Sequence, residues 1–152
     1  MSDTLPPVFR RAVIALNGGP SDARIVRLVA VLAKMGKSEL IAVHVVEIDW
    51  TLPLDADIAG RSEEVQRVLD IAEEVADESK MTLEPVLLQA RDVGAAIVDE
   101  ASERGADLLV VGLPYRKRFG GEFAIGRTVP YILQNAPCAV WVVRDPIAEE
   151  SA

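Results

Sequence analysis

One cysteine, Cys138, and one histidine, His44, are all that 152 residues hold of the side chains most used in metal and nucleophile sites. A lone cysteine excludes a disulfide framework. A lone histidine leaves no ordinary Ser-His-Asp set, and His44 sits inside an apolar run where a structural role suits it better. No His, Cys or carboxylate cluster has metal-ligand spacing, so no intrinsic metal is expected. Cys138 follows Pro137 with no basic neighbour to activate it, and reads as a small packing residue. Positive charge is also scarce: 16 basic against 24 acidic residues give a net charge of −8. That balance argues against nucleic-acid or anionic-membrane binding, which a basic patch would serve. No apolar run approaches the ~20 residues of a membrane span, so no direct membrane insertion is expected. Met1 to Pro7 lacks a basic-then-apolar leader, which makes the cytoplasm the expected location.

What the chain does have is apolar residues, 50% of the total, in short periodic blocks. The length suits one domain with a core of its own. We divide it into an N-terminal extension (1–10), a domain (11–144) and a polar C-terminal tail (145–152), frayed from Asp145. Ala12 to Leu16 is an unbroken run closed by Asn17-Gly18-Gly19-Pro20, the mark of a strand buried on both faces. Ser21 then caps a helix that Gly36 stops. Leu40 to Val46 is a second strand, and Glu47 to Gly60 a loop. Ser62 caps a helix with Val65, Val68, Leu69, Ala72, Val75 and Ala76 inward and a solvated acidic face outward. Val86 to Leu88 lies in a third strand that Pro85 sends to an edge. Asp92 caps a helix ended by Gly105, Asp107 to Gly112 is a fourth strand, a short helix spans 127–134, and Ala139 to Val143 is the fifth strand.

Strands alternating with helices imply a mostly parallel sheet with helices on both faces. Ligands of such sheets settle at the carboxyl ends of the strands, where strand order reverses. Three segments qualify: Asn17 to Pro20, Val45 and Val46, and the loop Gly112 to Gly126. The last carries Arg116-Lys117-Arg118 and closes on Gly126-Arg127-Thr128 at a helix start, where backbone N–H groups and the helix dipole favour an anion. The other reading is a solvated loop whose cations pair with acidic helices.

The segments Gly105 to Gly112, Gly126 to Arg144 and "IAVHVVE" at 41–47 resemble the universal stress protein (UspA-like) family, and the similarity runs from about Arg11 to Arg144. The resemblance implies an open, Rossmann-like five-stranded parallel sheet of order 3-2-1-4-5 and a homodimer paired through strand five, with Val140 and Val142 at the interface. It also implies that ATP or AMP is the ligand to consider, since some members bind one and others bind neither. Binders carry an aspartate after strand one, then Gly-x-x-Gly, nine residues and Gly-Ser or Gly-Thr. Here Asn17 stands at the aspartate, Gly112 keeps the first glycine, Tyr115 replaces the second, and ten residues separate Tyr115 from Gly126. Arg127 occupies the Ser/Thr position, with Thr128 one step on.

The candidate nucleotide site is therefore Ala15, Leu16, Asn17, Val45, Gly112, Arg116, Gly126, Arg127 and Thr128. Either it has lapsed, or phosphate contacts have passed from backbone to Arg116, Lys117, Arg118 and Arg127, which can clamp a phosphate. The expected function is regulatory, with no chemistry of its own. The alternatives are a dimeric module that docks a protein partner and a slow nucleotide hydrolase. The pattern Arg-Phe-Gly-Gly…Ile-Gly-Arg-Thr resembles stress-protein domains associated with membrane transporters, so a transporter is one such partner.

Overall fold

Five apolar runs become five parallel strands in the computed structural model, which describes residues 7–53, 62–115 and 125–147. In chain order they are β1 (Arg11–Leu16), α1 (Ser21–Gly36), β2 (Glu39–Glu47), α2 (Ser62–Glu78), β3 (Leu83–Ala90), α3 (Val93–Glu103), β4 (Leu108–Leu113), α4 (Thr128–Asn135) and β5 (Ala139–Arg144). The sheet order is β3-β2-β1-β4-β5, as the family resemblance implies. Pro85 lies on β3, at an edge, where a missing N–H need not break a ladder.

The two-residue period of β1 divides the core. Ala12, Ile14 and Leu16 pack with Val26 and Val29 of α1 and Leu69, Ala72 and Val75 of α2. Val13 and Ala15 pack on the other face with Ile97 and Val98 of α3 and Ile132 of α4. The expected inner stripe of α2 is in place, and the acidic residues Glu63, Glu64, Asp70, Glu73, Asp77 and Glu78 are exposed. Asp92 caps α3 by accepting the Ala95 N–H at 3.1 Å.

Three expectations need correction. Ser21 does not cap α1: it is the helix's first residue, Pro20 precedes it without a side-chain cap, and its hydroxyl donates to Asp145. That bond, with the Asp145 N–H donating to Leu113 O at 2.9 Å, also ties down a residue expected to fray. Gly36 does not stop α1. Lys37 does, in the left-handed region at φ 54°, while Gly36 gives passage to Pro7, whose Cβ would lie 2.6 Å from a side chain there.

At the opposite, amino end of the sheet, Asp107 fixes β1 to β4. Its carboxylate accepts the N–H groups of Arg10 at 2.8 Å and Arg11 at 2.9 Å, and its own N–H donates to Arg11 O at 3.0 Å. Burial pushes this carboxyl up, but the Arg11 and Arg10 N–H groups and the Arg10 charge outweigh it, holding it below the usual 3.8. A depressed folded value means stability present above the unfolded value and lost as pH falls through the folded one. Asp107→Ala should cost about 1 kcal/mol in urea unfolding at pH 7, at the low end because the side chain is exposed, and the difference should shrink below pH 4.

Candidate functional site

Because β1 lies between β2 and β4, the chain leaves it in opposite directions, and the loops after β1 and β4 part at their carboxyl ends. A cavity of about 420 Å³ opens there. Its walls include Ala15, Leu16 and Asn17 from β1 and its turn, Val45 from β2, Gly112 from β4, and Gly126, Arg127 and Thr128 at the start of α4. Eight of the nine candidate residues thus share one cleft, while Arg116, like Lys117 and Arg118, lies outside the described residues. Val93 and Ile97 of α3 and Val129 and Ile132 of α4 supply an apolar side. A larger cavity of about 1120 Å³ adjoins it between β2 and α2 and shares Asn17, His44, Val45 and Glu47 with the cleft.

The two glycines have different reasons. A Cβ on Gly112 would meet Ile25 Cδ1 of α1 at 3.0 Å, so helix packing already calls for the glycine. Gly126 has open space around it but a φ of +80°, which turns the chain into α4. The first N–H groups of α4 have no partner within the helix, and Arg127 stands exposed beside them with no capping bond. Tyr115, at the position of the expected second glycine, does not line the cleft; the Arg144 guanidinium lies 5.1 Å from its ring centre.

Asn17 is oriented unambiguously. Its side chain meets the Gly19 N–H at 2.7 Å, and an N–H can only donate, so the atom there is Oδ1. The remaining Nδ2 is a donor and lies beside Gly112, 3.8 Å from where a Cβ would stand. A carboxylate does lie close by, at Asp22 in the first turn of α1. It accepts the N–H groups of Asn17 at 3.1 Å and Gly18 at 2.8 Å. Burial raises this carboxyl above the usual 3.8; those two N–H groups and His44 lower it, and Asp145 raises it.

His44 is half-buried rather than buried, and it lines the cleft. Its Nδ1 lies 3.1 Å from Leu16 O, which only accepts, so Nδ1 is the donor there. Sequence reasoning passed over Asp22, and its signal was an acid in a first helical turn after a Gly-Gly turn. Cys138 is half-buried, and burial with the nearby Asp107 charge pushes its thiol up, as a packing residue requires. Among the described residues no three His, Cys, Asp or Glu side chains form a metal-binding group, and no helix is long and apolar enough to cross a membrane.

Comparison with known proteins gives this geometry its family. The family model for universal stress proteins matches residues 9–144. The chain belongs to the universal stress protein family. A universal stress protein from Archaeoglobus fulgidus superposes with a TM-score of 0.71 at 23% identity, covering 90% of this chain and 99% of that one. The structure of the Archaeoglobus fulgidus universal stress protein in complex with dAMP gives 0.68 at 20% identity, covering 90% and 98%. At such identities the likeness is one of fold. The sensor protein KdpD of Mycobacterium tuberculosis is 29% identical over 142 residues, 93% of this chain. The stress protein chain spans only 15% of that sensor's length.

β5 is the outer strand on the α4 side of the sheet. Val142 is 37% exposed on it, and Val140 is half-buried against the α3–α4 side of the core.

Gly126→Ala should cost about 1 kcal/mol in chemical denaturation, since the strain lies in φ and not in space. An unchanged midpoint would show that the turn into α4 tolerates a side chain.

Proposed function

We propose that this universal stress protein is a regulatory protein that binds an adenine nucleotide, AMP or ATP, in the cleft between the β1 and β4 loops and carries out no chemistry of its own. The observation that carries the reading is the convergence of eight candidate residues, from four separate segments, on one cavity of about 420 Å³. A structure of a family relative in complex with dAMP supports the ligand class. In this reading the base lies against Ala15, Asn17 and Val45, and the phosphate lies at Gly126 to Thr128 with Arg127 as its charged partner. The cytoplasm, where adenine nucleotides are available, is the location this reading assigns.

The reading includes a homodimer. Strand β5 has an unpaired edge with apolar side chains, the kind of edge proteins normally cover. A second reading, a module that docks a protein partner such as a sensor or transporter, is favoured by the KdpD likeness, which extends over 93% of the chain.

Calorimetric titration of ligand-free protein with AMP and ATP, with and without magnesium, tests the nucleotide reading. Micromolar binding is expected, with Arg127→Ala about ten-fold weaker and wild-type affinity falling with added salt. No heat at millimolar nucleotide would overturn it in favour of the docking module. Sedimentation at high micromolar concentration should give a dimer mass that Val142→Lys halves; a monomeric wild type would defeat the β5 interface.

A further inference from the structure

We propose that Asp22 is the positioning residue of this cleft: its carboxylate clamps the Asn17–Gly18 backbone so that the Asn17 amide presents its N–H₂ to the ligand, and neutralising that carboxylate releases the clamp and weakens binding. Only the ligand half of this inference rests on the proposed function.

The geometry is a relay across the cleft floor. One oxygen of Asp22 takes the Asn17 N–H at 3.1 Å and the other takes the Gly18 N–H at 2.8 Å, so both oxygens are committed to one wall. Gly18 itself is held at φ +81°, a conformation that an untethered turn would readily leave. With the backbone held, Asn17 Oδ1 closes on the Gly19 N–H at 2.7 Å, which leaves Nδ2 a donor with no partner among the described residues. The opposite wall is tied to the same place. Ser21, the neighbour of Asp22, donates to Asp145, and the Asp145 N–H donates to Leu113 O at 2.9 Å, with Leu113 lining the cleft. Asp22 thus holds the β1 wall, while Ser21 and Asp145 connect α1 to the β4 wall.

Among the described residues two titratable groups face Asp22: His44 from β2 and Asp145 from the segment after β5. A protonated Asp22 carries its hydrogen on an oxygen that now receives an N–H. That oxygen, neutral and with one lone pair taken, accepts more weakly, so one clamp bond loosens on acidification. Burial, the largest influence, places that event above the ordinary 3.8, and Asp145 adds to it. The signs separate clamping from a purely structural role. A folded value above the unfolded one means that proton uptake favours the fold, so across that range this group's share of stability rises as pH falls. Ligand affinity should fall over the same range.

The test begins without ligand. Amide shifts of Asn17 and Gly18 in ¹⁵N-labelled protein, followed from pH 7 downward, should move together with a midpoint above 3.8. Asp22→Asn should abolish that shared transition, and Asp145→Asn should move it to lower pH. Amides that do not titrate together, or that still do so in Asp22→Asn, overturn the clamp. Calorimetry with AMP at pH 7 should then show Asp22→Asn about ten-fold weaker than wild type. Wild-type affinity should itself fall towards the amide midpoint. Equal affinities, or a flat pH profile, overturn the positioning role. If the wild-type protein takes no AMP at all, the nucleotide reading fails, and the amide titration decides the clamp by itself.

Discussion

The whole arrangement depends on β1, a six-residue strand with β2 on one side and β4 on the other. Its residues from Ala12 to Leu16 are all buried, and it meets the cleft only at its last residues, Ala15 and Leu16. Only its carboxyl end is free, and the loops on either side of that end diverge. The cleft therefore follows from connectivity rather than from any one side chain. At the amino end Asp107 performs the complementary task, fastening β1 to β4.

The carboxyl end of β1 holds its charge in an unusual place. Asn17 is neutral and its oxygen is taken by Gly19, so the rim of the cleft offers a donor where an aspartate would offer an acceptor. The negative charge sits five residues further on, beneath the loop, bound to backbone N–H groups at the start of α1. A carboxylate there faces the positive end of the helix dipole. It no longer competes with an anionic ligand at the rim, and it stiffens the turn that carries Asn17.

The alternation of strands and helices was legible in the sequence from apolar runs and striped helix faces, whereas the strand order came with the family resemblance. The edge position of β3 was legible from Pro85. The cleft lining was legible as well, through strand ends and the glycines of the β4–α4 loop. What was not legible depends on contacts between segments distant in sequence. Gly36 reads as a helix stop until Pro7 is seen to cross it, which leaves Lys37 to take the left-handed turn. Ser21 reads as a cap until its hydroxyl is found on Asp145, 124 residues away. His44 reads as core until its ring is found against Leu16 O at the cleft wall, and Asp22 reads as a first-turn acid until its two oxygens are traced to Asn17 and Gly18.

The parting of the β1 and β4 loops is proposed as a nucleotide site. The most direct measurement is a map of amide shift changes as AMP is added to labelled protein. Changes should be confined to Ala15 to Asn17, Val45, Gly112 and Gly126 to Thr128, with the amino end of the sheet around Asp107 silent. Changes centred on β5, or none at millimolar AMP, would contradict it.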